Sequence, residues 1–443
     1  MSFELPPELW LKVFQSLPMD TIQNVHVVSS LFYDLSCGFL FNAVTLYPAT
    51  FGDEAFDKRV TDRGFEQLAF WSSEKIATHI RSFTVNLART EMSIVVGSCP
   101  SLVSACFEAV SRFKNLRMLT CSLSSSANIE IPALHVDALP FLRSLHIHGG
   151  RLVRPTSPLI QLKIEDFFYT KIPSTHPLGA LESPIPYLSV LDPTSLRRLY
   201  LRSGSMISIE HFLENMAPYQ NLRSLDLSLL EPTNVNRLHT WISTFPAIHD
   251  LTVSLVLNTD SADTLPSTPL TPHLRTYTGP PDLVPLVLRG TPAPRGLTII
   301  QYYAPELLHA LRASGSEAYP SLTSLTMRAL YPDLGSPSLR DALAFFPNLR
   351  ALTISVYSAR RGRPWRGSAA SIASPESREL CERLATVFDV VALLDTVVLD
   401  WWVESGYWGQ VIPPLEELEA TLVLTLPNLK RVLYGSQPES DGD

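Results

Sequence analysis

The chain has 443 residues, of which 45% are hydrophobic and 18% are charged, and its formal net charge is −8. This composition supplies enough apolar material for a large core, either in about two to four domains or in one repeat array, and it excludes general disorder. The negative charge argues against nucleic-acid binding over the whole surface, because such binding depends on neutralising phosphates.

Residues 1–46 are predicted to form a three-helix module. Pro6 and Pro7 suit the opening turn of a helix, and Glu8 is favourable at its positive end. Pro18 ends this helix, and Asp20 is a plausible N-cap for the next one. The apolar residues recur at helical spacing, as Leu9, Val13, Phe14, Leu17, Ile22, Val25, Val28, Leu31, Phe32, Leu35, Phe39 and Leu40. A core this small is inadequate by itself, so the apolar faces need another chain or the following domain.

The anchor positions of this module resemble those of the F-box family. They are Leu5-Pro6, Glu8-Leu9, Val13-Phe14, Leu17-Pro18, Ile22, Val27-Val28 and Phe32, with Leu40-Phe41 and Val44–Leu46 as the closing stretch. The resemblance implies docking on a Skp-type adaptor, and through it on a cullin-RING (SCF) ubiquitin ligase. The contact residues that it implies are Leu5, Pro6, Leu9, Val13, Phe14, Leu17, Pro18 and Ile22.

The match departs from the family pattern after Ile22, where a basic residue, Cys and Trp are frequent and this chain has Ser29, Ser30 and Phe32. An alternative is an amphipathic helical cap on the domain that follows. Residues 47–79 are interpreted as a linker and first helical capping segment.

Residues 80–435 repeat a pattern of three apolar positions, spaced as in Leu222-Arg-Ser-Leu225-Asp-Leu227. Clear copies start at Leu116, Leu142, Leu196, Leu222, Ile248, Leu322 and Leu349. Weaker copies start at Ile80, Leu159, Leu274, Leu297, Leu394 and Leu429. The steps from 116 to 142, 196 to 222, 222 to 248 and 248 to 274 are each 26 residues.

A unit of this length and pattern is a leucine-rich repeat, in which a short strand is followed by a helical or looped return. The predicted fold class is therefore α/β, with an irregular leucine-rich-repeat horseshoe behind the helical module: a right-handed solenoid with a parallel concave sheet. The long gaps from Leu159 to Leu196 and from Leu349 to Leu394 predict protruding loops. The polar, acidic tail, residues 436–443, is expected to be disordered.

The open face of such a sheet is the usual binding surface of a solenoid, and strand alternation assigns side chains to it. The candidate target-binding residues are His146, His148, Arg198, Tyr200, Arg202, Asp226, Asp250 and Arg328. Arg198 and Arg202 flank Tyr200 and can hold a carboxylate or phosphate, as in a phosphorylated target. The alternative is that these arginines are solvated and paired with Asp226 or Asp250. His146 and His148 point the same way, but no third ligand at suitable spacing is visible, so no metal is expected.

Two later segments each allow two interpretations. Four arginines surround Trp365 in the Arg360–Arg366 loop, which either binds acidic partners or nucleic acid or is a solvated insertion. The Trp401–Trp408 cluster either anchors a partner or packs beneath a terminal loop to seal the last repeat.

No catalytic, cofactor-binding or zinc motif is found, and the five cysteines contain no CxxC. The longest apolar stretch, Val387 to Val403, is interrupted by Asp389, Asp395 and Asp400, so no membrane span is expected. Taken with the resemblance, these observations predict a non-enzymatic substrate-recognition adaptor without cofactors. Its expected partners are a Skp-type adaptor and an unknown protein target, not nucleic acid, and its expected location is cytoplasmic and/or nuclear. The rivals are a repeat scaffold with no role in ubiquitination and a hydrolase hidden in an α/β fold.

Overall fold

The structure is a computed structural model, and it describes the residues that follow. They are 5–47, 54–86, 100–123, 128–130, 139–149, 151–153, 161–171, 191–203, 219–233, 235–257, 270, 273–289, 294–299, 304–315, 318–330, 334–357, 375–403 and 415–438. The chain divides into two compact units, Met1–Ala217 and Pro218–Asp443. Each unit is described by itself.

Three short helices open the first unit: α1 (Pro7–Ser16), α2 (Met19–Val25) and α3 (Ser30–Leu40). Pro6 and Pro18 are the N-cap residues of α1 and α2, so Asp20 lies inside the first turn of α2 and is not its cap. The hydroxyl of Ser29 accepts a hydrogen bond of 3.1 Å from the backbone N–H of Phe32 and caps α3. Prolines and a serine therefore set the three helix starts.

A parallel sheet follows the helices in the first unit. Its strands are, in order, β1 (Ala43–Leu46), β2 (Ser82–Asn86), β3 (Met118–Ser122), β5 (Ser144–His148), β7 (Asp166–Lys171) and β8 (Arg198–Ser203). Two short strands, β4 (Asn128–Glu130) and β6 (Arg151–Val153), pair separately. The described helices of this part are α4 (Glu54–Trp71), α5 (Glu74–Ala77) and α6 (Pro100–Val110). Parallel neighbours need such returns, since a tight hairpin joins only antiparallel strands.

The second unit repeats this architecture. Its strands are β9 (Ser224–Thr233), β10 (Asp250–Leu257), β11 (Thr276–Gly279), β12 (Gly296–Ile299), β13 (Ser324–Leu330), β14 (Ala351–Tyr357), β15 (Thr396–Val403) and β16 (Arg431–Pro438). They pair in chain order and all in parallel. Its helices are α7 (Val235–Ile242), the 3-10 turn Pro281–Leu283, α8 (Val284–Leu288), α9 (Ala304–Ala313), α10 (Pro337–Ala344), α11 (Pro375–Phe388) and α12 (Leu415–Thr425).

The core of each unit is built from rows of apolar side chains that neighbouring strands place in register. In the first unit one such row is Phe83, Leu119, Leu145, Phe167 and Leu199, with each side chain at most 1% exposed. Side chains alternate between the two faces of a strand, so every second residue faces inward and its neighbours remain half-exposed. The inward rows are the apolar positions of the sequence repeat.

The register agrees with the sequence pattern at the clear repeats. Each of these seven strands begins two residues after the predicted repeat start, as Ser224 follows Leu222 and Ala351 follows Leu349. A long parallel sheet in an α/β chain is thus confirmed, and it is consistent with a leucine-rich-repeat solenoid.

Four of the six weaker repeats also agree, because β2, β11, β15 and β16 begin two residues after Ile80, Leu274, Leu394 and Leu429. No described strand begins two residues after Leu159 or Leu297. Leu297 pairs with Leu325, so it occupies the second apolar position and not the first. Strand β7 lies inside the gap from Leu159 to Leu196, for which a protruding loop is predicted, and residues 172–190 of that gap lie outside the described residues. Its apolar residues, Ile164, Phe167 and Tyr169, carry the pattern without a single leucine.

Strands also lie beyond both predicted limits of the repeats. Val44–Leu46, interpreted as the end of the helical module, belongs to β1, which pairs with β2. At the other end, β16 continues to Pro438, so residues 436–438 of the predicted tail are part of a strand, and residues 439–443 lie outside the described residues.

Asparagine side chains form hydrogen bonds between successive repeats. The asparagine that normally follows the strand of a leucine-rich repeat is nevertheless absent from most units. The side-chain amides of Asn115, Asn348 and Asn428 donate to the carbonyls of Thr78, Pro320 and Ala392 at 2.7, 2.8 and 2.9 Å. Each bond satisfies a carbonyl in the turn of the preceding repeat.

Gly279 ends the inward face of β11, where the neighbouring strand β12 carries Ile299. The ring of Tyr277 occupies this space, and its hydroxyl donates to the carbonyl of Pro280 at 2.8 Å. A Cβ at Gly279 would lie 2.7 Å from Cζ of Tyr277 and 2.8 Å from the carbonyl oxygen of Val253. The large aromatic ring therefore requires glycine at this point.

Candidate functional site

The helical module has a small aromatic core. Phe14 packs edge-to-face on Phe32 and Phe39, with ring centroids 5.6 and 6.2 Å apart, and Trp10 packs on Phe32 at 4.6 Å. Phe14 and Ile22 are 1% and 3% exposed. These two predicted adaptor contacts therefore lie in the core of the module, where they support the surface and do not form it.

An apolar stripe, defined as Leu5, Leu9 and Val13, lies outside this core. Leu9 and Val13 are four residues apart on α1 and so share one side of the helix, and Leu5 precedes them by the same interval. Their exposed fractions are 44%, 42% and 38%. Of the other predicted contacts, Pro6 and Pro18 are exposed and Leu17 is half-buried. The module thus presents apolar surface that its own residues leave uncovered.

A second exposed apolar group, which the resemblance did not assign to the adaptor, lies where α2 is joined to α3. Val27 and Val28 are 74% and 67% exposed, and Leu31 in the first turn of α3 is 44% exposed. Burial of apolar surface contributes about 25 cal/mol per Å². Residues at both ends of the module can therefore contribute to binding of a partner.

Helix α3 is fixed to the residues that follow it. The Lys75 ammonium on α5 pairs with the Asp34 carboxylate and lies 4.5 Å from the centroid of the Tyr33 ring. The rings of Phe41 and Phe70 pack edge-to-face at 5.5 Å. These contacts hold α3 against the rest of the first unit.

The outward face of the first sheet carries an aromatic ladder, defined as His146, Phe168 and Tyr200. These residues are partners in register on β5, β7 and β8. The rings of His146 and Phe168 are 4.2 Å apart, and Phe168 stacks on Tyr200 at 5.1 Å. The Arg202 guanidinium lies 4.9 Å from the Tyr200 ring centroid, a distance typical of a cation-π contact.

An ion pair borders the ladder. Arg198 Nε donates to Oδ1 of Asp166 at 2.5 Å, and its Nη2 donates to Oδ2 at 2.6 Å. This hydrogen bonding to Asp166 raises the pKa of Arg198. Both oxygens of Asp166 accept hydrogen bonds from the guanidinium of Arg198. Arg198 is therefore paired with Asp166 of the neighbouring strand, and not with the predicted Asp226 or Asp250.

The two histidines lie close together on β5. Their ring centroids are 6.5 Å apart, and the Ser144 hydroxyl shares a hydrogen bond of 2.9 Å with Nε2 of His146. Burial lowers the pKa of both residues, and for His146 the neighbouring His148 lowers it further. No group of three His, Cys, Asp or Glu side chains that could hold a metal ion occurs within the described ranges.

The remaining target-binding candidates lie in the second unit and are not gathered into one cluster. Asp226 on β9 faces Thr252 in register, and Asp250 on β10 accepts a hydrogen bond of 2.5 Å from the Thr276 hydroxyl. Arg328 on β13 faces Ser355 of β14.

The other sequence features are only partly described. Trp401 is 2% exposed and belongs to the core, whereas Tyr407, Trp408 and the Arg360–Arg366 loop lie outside the described residues. Cys37, Cys106, Cys121 and Cys381 are buried, and burial raises the pKa of the Cys121 thiol to about 12. Over the described part of the chain, none of the helices combines the length and apolar character needed to cross a membrane.

Phe168, the central ring of the ladder, was not predicted from the sequence. Its repeat was assigned a start at Leu159, which lies outside the described residues, although the strand itself begins at Asp166. Alternation of Phe167 and Tyr169 with Phe168 was the signal that could have placed it.

Comparison with known proteins assigns no family to the chain: no family profile and no curated protein matches it. Among solved structures, a crystal structure of the Rad7 and Elc1 complex in yeast aligns with 94% of this chain and 100% of that one, at 13% identity and a TM-score of 0.36. A protein of Bacteroides fragilis solved by a structural genomics consortium aligns with 86% of this chain and 85% of that one, at 8% identity and a TM-score of 0.21. These scores are too low for either likeness to argue for a shared fold or function.

Proposed function

We propose that this chain is a substrate-recognition adaptor of a cullin-RING ubiquitin ligase, built as an F-box-like helical module followed by leucine-rich repeats. The module binds a Skp-type adaptor, and the outward face of the repeat strands binds a protein target. The chain itself performs no chemistry in this scheme. It raises the local concentration of the target near the ubiquitin-carrying enzyme.

The observation that carries the proposal is the exposed apolar stripe of α1. Leu5, Leu9 and Val13 remain 38–44% exposed in a module whose core is formed by other residues. An amphipathic helix with an uncovered apolar side is suited to bind a hydrophobic groove of another chain. The resemblance of Leu5-Pro6, Glu8-Leu9 and Val13-Phe14 to F-box anchor positions favours a Skp-type adaptor as that partner.

The aromatic ladder supports the second half of the proposal. Trp, Tyr and Arg side chains supply much of the binding energy of protein interfaces, and here Tyr200 and Arg202 lie beside the Phe168 ring on the sheet. His146 extends the same surface by one strand. We infer that this ladder is the centre of the target-binding face.

Co-purification with a Skp-type adaptor tests the proposal. The Leu9→Ser, Val13→Ser variant should lose the adaptor and keep its fold, because both side chains are exposed and contribute little to the core. Val423→Ser, Leu424→Ser is the matched control, since these α12 residues are 50% and 89% exposed. The control should retain the adaptor.

Two results would count against the proposal. If the intact chain captures no Skp-type adaptor, or if both variants capture it as well as the intact chain does, the helical module is a cap on the repeats. The protein is then an interaction scaffold without a role in ubiquitination.

A further inference from the structure

A row of mostly basic side chains crosses the second unit at the position just before each of the strands β9 to β14, and Asp395 follows it at the position before β15. We define the basic row as Arg223, His249, Arg275, Arg295, Thr323 and Arg350. Backbone hydrogen bonds link each member to the next: the N–H groups of His249, Arg275, Arg295, Thr323 and Arg350 donate to the carbonyl of the preceding member at 2.7–3.0 Å. The six residues therefore lie side by side on adjacent turns.

The four arginines of the basic row are exposed, and none forms an ion pair with another residue that the structure describes. Two acidic residues lie next to the row. Asp250 accepts a hydrogen bond from the Thr276 hydroxyl, and Asp395, whose N–H donates to the Arg350 carbonyl at 2.9 Å, accepts one from the Thr396 hydroxyl. Four guanidinium groups without an ion pair among the described residues, on a chain of net charge −8, form a local concentration of positive charge.

The repeat itself produces this row. The residue directly after the first apolar residue of the pattern is Arg in the units that start at Leu222, Leu274 and Leu349. Arg295 occupies the same place before β12. The apolar residues on either side of this position are buried in the core, so packing requires them. The side chain at this position is exposed, so packing does not determine its type. A basic residue at the same exposed position in successive units is therefore not explained by packing.

The first unit provides an internal comparison. Its corresponding row contains Arg81, Arg117, Arg143, Glu165 and Arg197, joined by the same kind of backbone bonds. Glu165 lies 3.5 Å from Arg143 and 3.7 Å from Arg197. A carboxylate of the protein thus already occupies the space between two arginines, which shows the kind of group that such a row accommodates.

We propose that the basic row of the second unit binds an acidic, extended peptide segment of a partner protein. Five strand spacings of about 4.8 Å give a row of about 24 Å, which matches roughly seven residues of extended chain. Carboxylates of the peptide take the place that Glu165 holds in the first unit, each paired with the planar fork of an arginine. The inference rests on the row alone and holds whether or not the chain serves a ubiquitin ligase.

An acidic peptide fits this surface better than a nucleic acid does. Four cations neutralise few phosphates, and the net charge of −8 opposes the approach of a long polyanion. The row also holds no Phe, Tyr or Trp on which bases could stack, whereas single-strand binders combine cations with such rings.

Fluorescence anisotropy with the full chain tests the inference. The probe is a labelled eight-residue peptide in which Glu and Ser alternate, and the comparison peptide has Gln in place of Glu. Replacing Arg223, Arg275, Arg295 and Arg350 together by Gln should weaken binding of the Glu peptide roughly 30-fold, since each exposed ion pair changes a binding constant by about two- to threefold. Thermal unfolding checks that the variant folds, and the pair Arg275→Gln, Arg295→Gln replaces it if it does not.

The matched control removes the same number of charges from the first unit, through Arg81, Arg117, Arg143 and Arg197→Gln. It should weaken binding by less than about threefold, because Glu165 already offsets part of that row. Equal losses in the two variants, or equal binding of the Glu and Gln peptides, would overturn the inference. So would tighter binding of an oligothymidine of equal length than of the Glu peptide, which would assign the row to nucleic acid.

Discussion

The inner rows of the parallel sheets and the outer side of the helical module differ in how far their leucines are buried. Leu119, Leu145 and Leu325 of the sheets are fully buried, while Leu5 and Leu9 of the module are 44% and 42% exposed. Stacked repeats cover one another's apolar rows, whereas three short helices cannot cover all their apolar positions. Buried leucines of the sheets are accounted for by folding, and exposed leucines of the module require another explanation.

The largest expected effect comes from removing the Phe14 ring at the centre of the helical module. Phe14→Ala should cost about 3–5 kcal/mol, because it leaves a cavity among Trp10, Phe32 and Phe39. Hydrogen exchange should show faster exchange in residues 7–40 and unchanged protection in the strands of the second unit. The control is Phe141→Ala, a ring that is 54% exposed, and its cost should stay within about 0.5 kcal/mol. Similar losses for both rings would contradict the assigned core.

The next effect tests how tightly the sheets are packed. Gly279→Ala should destabilise the second unit by about 1–3 kcal/mol, since its Cβ has no room beside Tyr277 and the Val253 carbonyl. In Gly296→Ala the new Cβ would meet Thr276 Cγ2 at 3.7 Å, an ordinary contact, so little change is expected. Denaturant unfolding compares the two variants, and equal midpoints would show that the strand register around β11 is wrong.

A smaller effect concerns the ion pair beside the aromatic ladder. Asp166→Asn should cost about 1 kcal/mol or less, because Arg198 is 60% exposed and solvent screens the pair. Asp341→Asn, which weakens the more exposed pair with Arg312, should cost less. Thermal unfolding of both variants at low and high salt measures the difference. A larger loss at Asp341 would show that the two sites are ranked incorrectly.

The smallest effect is a pH dependence. Burial and His148 lower the pKa of His146 below its ordinary 6.5. The unfolded state therefore takes up a proton at higher pH than the folded state does. The stability contributed by neutral His146 is complete above pH 6.5 and declines as the pH falls toward the lowered pKa of the folded state. His146→Phe keeps a ring against Phe168 and should reduce the loss of melting temperature between about pH 7.5 and about pH 5.5. An identical pH profile in this variant would exclude His146 as a source of the dependence.

The sequence predicted the sheets better than the surfaces. Strands such as β9 and β14 follow directly from the leucine pattern, because inward positions must be apolar in every repeat. Strand β7 was missed because Ile, Phe and Tyr replace leucine there, and β1 was missed because its pattern is short. Pairing of Arg198 with Asp166 depends on which strands are neighbours, and spacing along the chain does not fix that.

For the helical module the sequence identified the apolar positions but not which of them face outward. Phe14 and Leu9 both belong to the apolar residues at helical spacing, yet Phe14 is 1% exposed and Leu9 is 42% exposed. The difference depends on how α1 packs on α3, and a tertiary contact of this kind is not encoded in helical periodicity alone.

Hydrogen–deuterium exchange of the full chain, with and without a purified Skp-type adaptor, tests the central claim most directly. The adaptor should slow exchange in residues 5–31, which include the apolar stripe and the Val27, Val28 and Leu31 group, and should leave the strands of both units unchanged. Unchanged exchange in residues 5–31, or protection confined to the strands, would contradict the claim that the exposed apolar side of the helical module is a docking surface.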